Sequence, residues 1–431
     1  MKKSRFIFIL LFSIFLAGCG SAAPTLSPEE QQAQLATMVA ATVEAAQTAD
    51  TDPAPVVEEA PTKTVSAQPV QTYANFAGLR VAYIKEGNLH VWTEGGSATL
   101  LINTGDVRSL AISDDGQYIA YVRELVDRPV AFELWFINTE GTNIPTLLVS
   151  ADELAALKES SSFTNAEGMR FDQLVWRPGT HVLAYNTAPV FMGPGYAPAH
   201  DLRTINIDTM EKQTVFDFEE GGLFTFSPDG SQVALSTPES VSIANADGSN
   251  LRADLLTYPV ISTYSEYSYH PSPFWMADSM SLRVGIPPQD SLADPAALTT
   301  LWYLPVDGSA PTQLSSINPM PLYWPDGIFS PDASVIAYVK RLGEPINNQT
   351  ELHIAYADGS NDYVFASGGI INLISWTPDS TRFVYAESGE SQGLYLGELS
   401  GASTLIASLP QSVSQMTWVD NDRFLYIQQD Q

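Results

Sequence analysis

From about residue 77 onward, apolar residues come in short alternating runs broken by tight polar turns, as in Gln232-Val233-Ala234-Leu235. Alternation with a period of two predicts strands, and runs this short, closely spaced, predict many of them. The runs are copies of one unit. An aromatic or apolar anchor is followed by a polar turn and then a β-rich run ending nine residues after the anchor. The clearest copy is Phe226-Ser227-Pro228-Asp229-Gly230 to Ala234-Leu235. Others begin at Ile112, Trp176, Phe329 and Trp376, a weaker one at Trp275, and one a residue shorter at Trp418. The anchors are 64, 50, 49, 54, 47 and 42 residues apart, the length of one four-stranded propeller blade each.

A second hairpin recurs within each unit. Glu140-Gly141, Asp247-Gly248, Asp307-Gly308 and Asp358-Gly359 stand between apolar runs, with looser versions at Gly95-Gly96, Asp208-Thr209 and Ser400-Gly401. Gly accepts positive φ and Asp tolerates it, so these pairs are hairpin turns. Each unit is therefore two hairpins, strands A to D. The expected fold is all-β, a propeller of four-stranded antiparallel blades over 77–431. Seven blades are expected, with six or eight as alternatives. The ring closes if the strands at about 415–428 join the hairpin at about 88–102. The run Leu79–Ile84 reads as a further B strand and competes for a place in that mixed blade.

These units resemble the TolB-like β-propeller repeat, whose signature is a Ser-Pro-Asp-Gly turn followed by a short Ile/Val-Ala-Phe/Tyr run. The resemblance implies the fold and leaves the function open.

The chain's start has a different pattern. Lys2, Lys3 and Arg5 precede an apolar run from Phe6 to Leu16, interrupted only by Ser13. A membrane-spanning helix needs about 20 such residues, so the run fits a signal peptide. Leu16-Ala17-Gly18-Cys19 follows and resembles the lipobox of bacterial lipoproteins. The resemblance implies cleavage after residue 18, acylation of Cys19, and anchorage to a cell membrane on its extracytoplasmic side, since more than one buried acyl chain anchors stably. Residues 19–76 are expected to be a spacer. Ser27-Pro28-Glu29-Glu30 reads as a helix start for a helix over about 28–49, and Pro53, Pro55, Pro61 and Pro69 then mark an extended linker.

Composition narrows the chemistry. The net charge is −29, which becomes −32 once Lys2, Lys3 and Arg5 leave with the signal. That argues against nucleic acid, whose phosphates are held by Lys and Arg. Cys19 is the single cysteine, so intramolecular disulfides and cysteine-rich metal sites are excluded. No hydrolase nucleophile elbow is expected, and the repeat is expected to occupy the remainder of the chain without a hydrolase domain. His90, His181, His200, His270 and His353 are scattered, with no pairing at metal-ligand spacing. Asp115, Asp229, Asp332 and Asp379 recur once per unit and are expected to hold their own A–B turns. Neither catalytic residues nor a metal or other cofactor is expected.

Loop lengths are asymmetric. A–B and C–D turns are tight throughout, whereas the long segments (123–131, 151–172, 187–201, 257–273, 286–299, 315–327, 341–350) are all B–C or D–A connections. One face is thus built up, and long loops on a rigid scaffold carry binding residues. Candidate ligand-binding residues there are Phe191, Tyr196, Tyr264, Tyr267, Tyr269, Tyr323 and Trp324, because aromatic rings give contact area at low entropic cost or stack on sugars. The expectation is a non-catalytic binding or scaffold protein of the bacterial envelope, not an enzyme, with an envelope protein or a glycan on the loop face. The alternatives are a carbohydrate or peptide receptor, and a propeller enzyme such as a glycan hydrolase or lyase.

Overall fold

The computed structural model describes residues 79–192, 200–265, 268–294, 296–320, 328–342, 349–388, 392–408, 413–418 and 420–428. By compactness the chain divides into Met1–Gln68 and Pro69–Gln431. The signal, Cys19 and the spacer helix lie outside the described residues.

The described chain is antiparallel sheet with one helix. Five sheets have four strands each, in the simple order A-B-C-D, and cover 107–149, 168–216, 223–257, 274–317 and 370–407. We number these blades one, two, three, four and six. Blade five has three named strands over 335–368, and a single bridge, Phe329↔Ile336, marks its A position. The chain ends supply the rest. Arg80–Lys85, Asn88–Thr93 and Thr99–Ile102 form a three-stranded sheet, and Val413–Trp418 pairs with Phe424–Gln428. The architecture fits a seven-bladed β-propeller. The run at 79–84 is resolved as the B-type partner of the next strand, with Arg80 opposite Thr93. Between the two ends, Arg423 forms an ion pair with Glu94 at 2.9 Å.

Strand alternation explains why the blades stack. Leu183 and Tyr185 of blade two join the cluster shared with blade one, while the intervening Ala184 joins the cluster shared with blade three. Val233 and Leu235 likewise face blade two, and Ala234 faces blade four. Each B strand is apolar on both faces because both are buried. The core is thus a series of interblade layers, continued by the N-terminal sheet against blade one and by blade six against Trp418 and Phe424.

The anchors fasten these layers. Trp176 Nε1 donates to the Ala111 carbonyl at 3.0 Å, Trp275 Nε1 to Thr225 at 3.0 Å, and Trp376 Nε1 to Ile328 at 3.3 Å. In every case the acceptor lies one residue before the preceding blade's anchor. The repeated Asp residues do hold their turns. Asp229 Oδ1 accepts from the Ser227 hydroxyl and from the Ser231 backbone N–H, and Asp115, Asp332 and Asp379 repeat the pattern. The backbone N–H of Asp332 is in turn capped by Ser380 Oγ of blade six, at 2.9 Å.

On this turn face His181 is clamped between blades. Its Nε2 meets Asp115 Oδ2 and its Nδ1 meets Asp208, both at 3.0 Å, with Tyr118 edge-on to the ring. Burial alone would lower the imidazole pKa, but the hydrogen bonds and charges of Asp115 and Asp208 outweigh it and hold it above the ordinary value. Burial opposes the shift at Asp115 too, yet bonds from His181, Ser113 and the Gln117 N–H hold that carboxyl below its usual range. A raised histidine pKa stabilises the fold fully below about pH 6.5, and that stability is lost as pH rises through the raised value. The carboxylate's contribution is lost instead as pH falls through its lowered value. The melting-temperature difference between the parent and His181→Asn is therefore expected to be largest near pH 6 and to shrink towards pH 9. A difference independent of pH would contradict the clamp.

Candidate functional site

The A strand of blade two is Gly168–Trp176, and it enters from the loop-rich face. Its ladder is broken between Phe171 and Leu174, so Asp172 and Gln173 stand opposite the single residue Asn186. Such a bulge re-aims side chains and is common beside active sites. Here it brings Asp172 Oδ2 to 3.0 Å from His200 Nε2, while Arg170 reaches Asp172 Oδ1 at 3.2 Å. His200 ends the B–C loop of the same blade. From the loop between blades three and four, His270 packs edge-on against it, with ring centroids 5.8 Å apart.

The pair is held rigidly from behind. Asp201 is fully buried, and its Oδ1 accepts from both the N–H and the hydroxyl of Thr187 at 2.7 and 3.0 Å. Its other oxygen accepts from Arg203 Nε. The Gly221 N–H donates to the His200 carbonyl at 3.2 Å, and a Cβ at Gly221 would stand 2.7 Å from that oxygen. Only glycine permits this approach. Asp201→Ala is expected to cost about 1–3 kcal/mol, because the buried Thr187 N–H loses its acceptor, while the half-buried Arg203 guanidinium keeps Thr214. A urea midpoint within error of the parent's would refute that.

The electrostatics assign roles. The His200 hydrogen bond, working against burial, holds the Asp172 carboxyl below its usual range. An ionised Asp172 accepts the Nε2 proton of His200, which leaves Nδ1 as the lone-pair nitrogen of the neutral ring. That Nδ1 is buried and has no hydrogen-bond partner, and the same holds for His270 Nε2. Burial, followed by the neighbouring His200, pushes the His270 pKa down to about 4. His270 is therefore neutral at physiological pH. Among the described residues, no group of three or more His, Cys, Asp or Glu could hold a metal ion.

The aromatic residues expected to bind ligand are spread differently. Phe191 is half-buried and edge-on to Phe163 at 6.4 Å. Tyr264 is exposed, and its hydroxyl bonds Asp290. Tyr269 is buried in the layer between blades three and four, beside Leu256 and Trp275. Tyr196, Tyr267, Tyr323 and Trp324 lie outside the described residues. The 151–172 loop contains the helix Ala151–Ser160, opened by a capping box between Ser150 and Glu153. The Ser-x-x-Glu spacing in the sequence carried that signal.

No family model matches this chain, and no curated protein matches it. Among solved structures it is similar to an oligogalacturonate lyase in complex with manganese, at 14% identity over 74% of this chain and 82% of that one, with a TM-score of 0.45. It is similar to the β-propeller domain of the Trilobed protease from Pyrococcus furiosus, at 12% identity over 75% and 89%, with a TM-score of 0.44. It is also similar to puromycin hydrolase, at 15% identity over 81% of this chain and 56% of that one, with a TM-score of 0.46. At these identities the likeness speaks to the fold alone.

The expectation of a non-catalytic binding or scaffold protein, not an enzyme, is corrected. The solved structures named above are a lyase, a hydrolase and the propeller domain of a protease. The scattered histidines mislead for a physical reason. Blade closure brings together residues that are 70 positions apart, so spacing along the chain does not measure separation in space.

Proposed function

We propose that this chain is a lipid-anchored extracytoplasmic propeller enzyme that cleaves a glycan at its loop-rich face by acid–base elimination, a lyase reaction. The observation that carries the reading is the carboxylate-paired His200, whose buried Nδ1 is unpartnered beside the unpartnered Nε2 of neutral His270. Asp172 orients His200 so that Nδ1 removes the proton on the carbon next to a uronic carboxylate; the C–O bond on the adjacent carbon then breaks as the C=C forms, and the departing oxygen takes that proton back from His200. His270, as a neutral N–H donor, stabilises the oxygen on which charge develops. One carboxylate with two imidazoles suits this step better than the two converging carboxylates of most glycoside hydrolases. The exposed Tyr264 and half-buried Phe191 give the loop face rings on which sugars stack.

A panel of neutral and uronic-acid polysaccharides, followed by ultraviolet absorbance for unsaturated ends and by a reducing-end assay, tests the reaction. Unsaturated products are expected. New reducing ends without unsaturation would identify a hydrolase, and neither product would end the catalytic reading.

The repeat supports membership in the TolB-like group, and the start of the chain supports lipidation at Cys19. Cys19→Ala is expected to move the protein from the membrane fraction to the soluble fraction. Unchanged partitioning would refute the anchor.

A further inference from the structure

The bulge that aims Asp172 is itself braced by two amides, one buried and one half-buried. Asn186 is fully buried. Its Oδ1 accepts from the Gln173 N–H at 2.7 Å, which replaces the ladder bond lost at the bulge. Its Nδ2 donates to Gln173 Oε1 at 3.0 Å and to the Gly222 carbonyl at 3.1 Å. Gln173 Oε1 also accepts from the Phe224 N–H of blade three at 2.8 Å, and Gln173 Nε2 lies 3.4 Å from the Phe224 carbonyl. Four residues from two blades are thus tied by side-chain amides at the one place where the A strand leaves its register. A Cβ on Gly222 would stand 2.5 Å from the Ser236 carbonyl, so the loop supplying the Gly222 acceptor needs glycine there.

A regular ladder would leave no residue free to swing. The extra residue would otherwise expose an orphan N–H inside the sheet, which costs about 1–3 kcal/mol. The amides remove that cost and lock a single geometry. We infer that Gln173 and Asn186 are positioning residues, a bracket that holds the bulge so that the Asp172 carboxylate meets His200 Nε2 and fixes which imidazole nitrogen carries the proton. The inference rests on the reading of Asp172 and His200 as the acid–base pair, but its test needs no substrate.

The readout is the tautomer of His200, followed by nitrogen-15 NMR of the imidazole in the whole chain. In the parent, the Nε2-protonated form is expected to dominate. In Gln173→Met, which keeps the side-chain volume, that preference is expected to be lost as the carboxylate contact loosens. Asp172→Asn should go further and reverse the preference, since an amide can donate to Nε2, and no Nε2-protonated preference should return when Gln173→Met is added to it. Asn186→Ala removes both ties; if it does not fold, Gln173→Met still decides. Arg170→Gln, on the exposed side of Asp172, should leave the tautomer as it is. A folded Gln173→Met protein whose His200 resonances match the parent's would overturn the bracket. An NMR response without any glycan cleavage by the parent would instead overturn the catalytic reading and leave the bracket standing.

Discussion

His200→Gln is expected to lower kcat/KM for the cleaved glycan by about 10²–10⁴-fold, the usual contribution of a positioned general base. Glutamine keeps a polar side chain in the 5% exposed position, so the blade still closes. What disappears is the lone pair at Nδ1, the proton acceptor. Asp172→Asn should fall in the same range for a different reason. An amide can donate to Nε2, which reverses the tautomer and places the proton where the base is needed. Because His270 protonates only near pH 4, it should add no acidic limb to the rate profile in the neutral range. Turnover by His200→Gln equal to the parent's would remove His200 from the chemistry.

Trp176→Ala should destabilise the propeller by about 3–5 kcal/mol, the cost of emptying a buried indole site. The ring is 4% exposed and packs in the layer shared by blades one and two. Its Nε1 also satisfies the Ala111 carbonyl, and losing that bond alone costs about 1 kcal/mol. Trp176→Phe, which retains most of the packing, should therefore fall by only about 1–2 kcal/mol. Denaturant midpoints separate the two. Equal losses would mean that the hydrogen bond, rather than the packing, fastens the blades.

The repeat was legible because its parts are local. The Ser227-Pro228-Asp229-Gly230 turn needs only its own residues, and Asp229 bonds Ser227 and Ser231 as the spacing implies. The alternation at 232–235 likewise specifies which side chains face which neighbour, before the neighbour is known. The capped helix at 151–160 was legible in the same way, through Ser150 and Glu153, but it sat in a stretch read as a loop.

The proposed acid–base pair was not legible. Asp172 and His200 are 28 residues apart, and His270 is 70 beyond His200, with nothing periodic to relate them. Their meeting depends on a bulge opposite Asn186 and on a glycine that lets a loop approach the His200 carbonyl. Tyr269 fills the layer between blades three and four, a placement that its composition alone does not reveal.

The sequence by itself determined the strands and their turns and pointed to seven units, since each follows from interactions within a few residues. Only the tertiary structure decided which of these distant side chains meet, because the bulge in blade two and the packing of the neighbouring loop set their contacts and which nitrogens are left without a partner.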